Sequence, residues 1–86
     1  MNREEIEKDL VIYCKENNLD YKALLKMPYG IYGEKENKLE FYYYEEQEDS
    51  SGLLDDKPMP ILLKIEKRGK EVLFEQTENT LKYLSK

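Results

Sequence analysis

Seven carboxylates lie between Leu39 and Asp56 with no Lys or Arg among them: Glu40, Glu45, Glu46, Glu48, Asp49, Asp55 and Asp56. Acids gathered like this can do three kinds of chemistry. They can hold a hard cation, share acid and base roles across a glycosidic bond, or steer a positively charged partner. A calcium loop of the EF-hand kind needs alternating oxygen ligands, a Gly at the sixth place and a Glu at the twelfth. Glu48-Asp49-Ser50-Ser51-Gly52 and Asp55-Asp56 do not follow that spacing. A glycosidase pair needs a cleft, and 86 residues leave no second lobe to form one. Steering is the chemistry that remains.

The same stretch carries Phe41-Tyr42-Tyr43-Tyr44, four of the ten aromatics of the chain. Its formal charge is −7 and the rest of the chain sums to +2, which gives the net −5. Tyr supplies large contact area at low entropic cost together with a hydroxyl, which is why interfaces favour it. Tyr42, Tyr44, Glu45, Glu46, Glu48, Asp49, Asp55 and Asp56 are therefore the candidate partner-binding residues. The partner they imply is a basic protein, and positive grooves belong most often to proteins that handle nucleic acid. An inhibitor, immunity or anti-defence protein of a microbe or phage fits that description. Two alternatives stay open: a structural or regulatory homodimer without catalytic activity, and a small-molecule binder using Tyr42, Tyr44 and Glu66.

Other chemistries fall away. With no His, the usual acid–base residue near neutral pH is missing, along with every Ser-His-Asp or Cys-His relay. One Cys and no His make a zinc site improbable, so neither a metal nor a cofactor is expected, and no enzymatic activity. Cys14 falls on an apolar helix face and reads as a buried, inert thiol. The four glycines form no phosphate-binding loop. Net negative charge disfavours direct contact with nucleic acid. No apolar run approaches the ~20 residues of a membrane span, and Met1-Asn2-Arg3-Glu4-Glu5 does not open a secretory signal. A lone Cys excludes an internal disulfide, so the expected setting is cytoplasmic and reducing.

The elements that position these residues can be read from periodicity. Asn2 and Glu5 have capping-box spacing, and Ile6, Leu10, Tyr13, Cys14 and Asn17 share one helical face, predicting a helix from about 3 to 17. Asn17-Asn18 should end it. Asp20 caps a short helix through Lys26, broken before Pro28. A strand with Tyr21, Ala23 and Leu25 on one face is the competing reading of that segment. Residues 29–34, a polar turn at 35–38 and residues 39–45 form a hairpin. Leu39, Phe41 and Tyr43 face the core there, and Glu40, Tyr42 and Tyr44 face away. Residues 47–59 read as a loop anchored by Leu53-Leu54. A second hairpin spans 60–67 and 70–75 about Arg68-Gly69, with Ile61, Leu63, Ile65, Val72 and Phe74 inward. The basic cluster Lys64, Lys67, Arg68 and Lys70 reads as a solvated turn. Thr77 caps a last helix, 78–84, with Leu81 and Leu84 on its apolar side.

Eighty-six residues are enough for one small domain. The order predicts an α+β two-layer sandwich: a four-stranded antiparallel sheet of two consecutive hairpins, covered on one face by the N-terminal and C-terminal helices. The other face would carry Tyr42, Tyr44, Lys64 and Glu66.

Overall fold

A computed structural model describes residues 1–44 and 59–86. The loop expected at 47–59, its Leu53-Leu54 anchor and the candidate residues Glu45, Glu46, Glu48, Asp49, Asp55 and Asp56 fall outside the described residues, except Met59. The fold is α+β. Helix α1 (Arg3–Glu16) and α2 (Tyr21–Leu25) lead into strands β1 (Tyr29–Tyr32), β2 (Lys38–Tyr42), β3 (Ile61–Arg68) and β4 (Glu71–Gln76), and α3 (Glu78–Leu84) follows. The strands form one open antiparallel sheet in sequence order, β1-β2-β3-β4. No helix among the described residues is long and apolar enough to cross a membrane.

Each helix begins where a side chain can satisfy its free N–H groups. Asn2 accepts from the Glu5 amide at 2.9 Å and Asp20 from the Ala23 amide at 3.2 Å. Helix α1 stops at Asn17, and Asn18 takes the left-handed conformation, φ 56°, that Asn tolerates. The stripe of α1 is as expected: Ile6, Leu10 and Cys14 are buried, with Tyr13 and Asn17 half-buried beside them. The Tyr13 ring stacks on Phe74 with centroids 4.3 Å apart, which fixes α1 against β4. Segment 21–25 is helix, so the competing strand reading is set aside.

The core lies between the helices and one sheet face: Leu39, Phe41, Leu63, Ile65 and Leu62 from the strands meet Ile6, Leu10, Cys14, Leu19, Leu24 and Leu84. One β-bulge alters the expected alternation. Phe41 faces Leu63, but the next residue, Tyr42, faces Ile61, so Leu62 is an extra residue in β3. Leu62 is therefore fully buried, whereas Ile61, expected inward, is only half-buried. The bulge is bonded to α3. The Thr77 hydroxyl donates to the Ile61 carbonyl and the Thr80 hydroxyl to the Leu62 carbonyl. This also corrects the apolar side of α3. Thr80 and Leu84 point inward, and Leu81 is 58 % exposed.

Both turns differ in detail from the sequence reading. The first hairpin closes through a 3₁₀ turn at Glu34–Glu36, with Gly33 at φ 97° and Lys35 and Glu36 also left-handed. In the second, β3 runs through Arg68, and Gly69 (φ 61°) and Lys70 make the turn. The last residues tie back to the α1–α2 corner. Leu19 bridges to Ser85, the Asp20 amide donates to the Leu84 carbonyl at 2.6 Å, and the Lys86 amide donates to the Asn18 carbonyl at 3.2 Å.

Candidate functional site

The three described helices pack on one side, and among the described residues no helix covers the opposite sheet face. Residues opposite one another on antiparallel strands share a face, so the register says what stands there. One row reads Gly30, Glu40, Lys64, Glu75 across β1 to β4; the next reads Tyr32, Lys38, Glu66, Leu73. Tyr42 follows Glu40 two residues along β2. Three carboxylates and two ammonium groups thus alternate over this bare face, framed by two phenols and Leu73.

Glu40 is the unusual member. It lies in a central strand with neighbours on both sides, and only 8 % of its surface is exposed. Its Oε2 is buried and has no hydrogen-bond partner. A buried charged oxygen without a donor is costly, because its lost hydration is not replaced. Tyr42, two residues along the strand, lies over Gly30, the residue opposite Glu40. A Cβ placed on Gly30 would sit 3.6 Å from Tyr42 Cε2 and from its hydroxyl oxygen. That is ordinary contact distance, so the phenol packs over this stretch of β1 without needing a glycine there.

The two phenols answer to the same acid. Burial, then a hydrogen bond to Glu40 and its charge, push the Tyr32 hydroxyl well above its ordinary pKa. Burial and the Glu40 charge push Tyr42 up as well. Both hydroxyls therefore stay protonated to higher pH than a free phenol. Beside them lies an open depression of about 370 Å³, lined by Tyr32, Lys38, Lys64, Glu66, Leu73 and Glu75 among others. Arg68 donates to Glu66 at 3.1 Å at its rim.

Of the residues expected from the sequence, Tyr42, Lys64 and Glu66 stand on this face. Tyr44 does not join them. β2 ends at Tyr42, and Tyr44 lies beside α2 in a depression lined by Asp20, Lys22, Ala23, Lys26 and Met27, its amide donating to Met27 Sδ at 3.4 Å. Tyr43 turns to the helical layer as expected and stacks on Tyr83, centroids 3.8 Å apart. The small-molecule pocket imagined from Tyr42, Tyr44 and Glu66 is therefore not assembled, since Tyr44 and Glu66 line different depressions. Tyr32 and the burial of Glu40 were missed. Only the register that sets Gly30 and Lys64 beside Glu40 reveals them, and single-sequence patterning does not fix register.

Among the described residues no group of three or more His, Cys, Asp or Glu is placed to hold a metal ion. Cys14 is buried, and burial pushes its thiol pKa up, the opposite of what a reactive thiol needs. What the face presents is a carboxylate with one oxygen short of a donor, two phenols and apolar surface around them. Compared with protein-family models, with curated proteins and with solved structures, the chain matches none.

Proposed function

We propose that this chain is a binding module that takes a basic protein partner on its bare sheet face. The observation that carries the proposal is the Glu40 carboxylate, buried at the centre of that face with Oε2 unpartnered. A guanidinium or ammonium group from a partner that displaces a covering phenol ring would give that oxygen the donor it lacks, and charge-assisted bonds of this kind are the strong ones. Tyr32 and Tyr42 flank the acid with apolar rings and hydroxyls, the residue type that most often anchors an interface. In sequence, the acidic run Glu45, Glu46, Glu48, Asp49, Asp55 and Asp56 continues directly from the strand that carries Glu40. It adds charge of the sign that steers a basic partner toward β2. An inhibitor or immunity protein that occupies the groove of a nucleic-acid-binding protein remains the most concrete form of this idea.

The test uses an oligo-arginine peptide as a stand-in for the partner and follows backbone amide shifts of the 15N-labelled protein. Saturable shifts centred on Tyr32, Glu40, Tyr42 and Lys64 that weaken with added salt and vanish in Glu40→Gln support the proposal. Shifts confined to the helical side, or unchanged in Glu40→Gln, overturn it.

A further inference from the structure

The two edges of the sheet are built differently. β4 carries Glu71 and Glu75, charges of the kind that keep edge strands from pairing. β1, Tyr29-Gly30-Ile31-Tyr32, has no charge and no proline within it, and Tyr29, Ile31 and Tyr32 are all exposed. Leu25, on the neighbouring helix, is exposed too. Among the described residues no strand lies beyond β1.

The hydrogen-bond phase of β1 follows from its first bond. The Tyr42 amide donates to the Pro28 carbonyl at 2.9 Å, so Pro28, Gly30 and Tyr32 point their backbone groups at β2. Tyr29 and Ile31 then present their N–H and C=O groups outward, unpaired in the sheet. We infer that two copies of this chain pair through β1, antiparallel about a two-fold axis at Gly30, to make one continuous eight-stranded sheet.

Three features make a second copy the fitting occupant. The outward groups are self-complementary, because an axis at Gly30 pairs Tyr29 with the second copy's Ile31 and Ile31 with its Tyr29, each exchanging both bonds. The two pairs are aromatic on β-branched, a favourable cross-strand combination. The flanks also match in charge. Lys26 precedes β1 and Glu34 follows it, both exposed, so an antiparallel arrangement brings the Lys26 end of each copy to the Glu34 end of the other. The strand is only four residues long, so the contact is smaller than the ~1,200 Å² at which stable interfaces begin, and the dimer is a reversible one.

Sedimentation equilibrium from micromolar to ~1 mM protein tests this. The wild type is expected to show a monomer–dimer equilibrium. Ile31→Pro removes an outward N–H without touching the β1–β2 ladder and should be monomeric throughout, with an unchanged far-ultraviolet spectrum as the check on folding. Lys26→Glu should raise the dissociation constant about tenfold at low salt, and Lys26→Glu with Glu34→Lys should restore it. A wild type that stays monomeric over the whole range overturns the proposal. So does a dimer undiminished in a folded Ile31→Pro, or a charge swap that fails to restore what Lys26→Glu loses.

Discussion

The Thr80 hydroxyl, buried under α3, donates to the carbonyl of Leu62, the extra residue of the β3 bulge, and accepts from the Thr77 amide at 2.8 Å. One oxygen therefore joins the start of α3, its capping box and the β3 bulge. Thr80→Val keeps the shape and deletes both bonds. It should lower the unfolding free energy by about 1–3 kcal/mol in urea denaturation, since a buried carbonyl and an amide both lose their partner. Thr80→Ser keeps the hydroxyl and should recover most of that loss.

Glu40 should behave in the opposite sense. Removing a buried charge with one oxygen left without a donor relieves a penalty, so Glu40→Gln is expected to leave the melting temperature unchanged or raise it, by about 4–8 °C for each kcal/mol gained. The same variant should lose binding to a basic peptide. Scanning calorimetry and a peptide titration on one sample separate the two effects, and a marked fall in melting temperature would show Glu40 to be a structural residue.

Two glycines should respond differently to Ala. Gly33 has φ 97°, and a Cβ there would lie 2.9 Å from Asn37 Oδ1 and 3.1 Å from Lys38 Cγ. Gly33→Ala should cost about 1–3 kcal/mol through backbone strain alone. Gly30 lies in ordinary extended strand, and its Cβ would meet Tyr42 only at contact distance. Gly30→Ala should change stability by less than ~1 kcal/mol. Chemical denaturation of both variants gives the comparison.

Alkaline pH should destabilise the fold. The Cys14 thiol ordinarily titrates at 9.0 and burial raises it; Tyr21, Tyr32 and Tyr42 ordinarily titrate at 10.0 and are raised, chiefly by burial. A group raised on folding contributes stability that is whole below its unfolded value and is lost as pH climbs through the folded one. Melting temperature should hold up to about pH 9 and fall above it, Cys14 first and the phenols after. Cys14→Ala should delay the onset of that fall toward the pH at which the phenols ionise.

Much of the architecture was legible because it depends on local pattern. The α1 stripe from Ile6 to Asn17, the Asp20 and Thr77 caps and the two hairpins all follow from spacing and turn chemistry. The departures arise where one residue changes the phase. The extra residue Leu62 breaks a period of two, which costs Ile61 its inward place. Thr80 takes the buried position expected of Leu81 because its hydroxyl answers the Leu62 carbonyl of the bulge. Glu40 was counted as one more outward acid. Outward is correct, yet it is buried between its β1 and β3 neighbours, with Tyr42 lying over Gly30 beside it, and those contacts span strands no local window joins. Tyr44 was carried past the strand's end by an alternation that stops at Tyr42.

The latch joining Asn18, Leu19 and Asp20 to Leu84, Ser85 and Lys86 has a consequence for synthesis. A nascent chain that has emerged as far as Gln76 already holds all four strands of the described sheet. Its first two helices nevertheless have no α3 to close against, and three backbone partners of that corner are still inside the ribosome. Closure of the helical layer therefore depends on residues 84–86, and disrupting them should unlatch the side of the protein opposite the bare sheet.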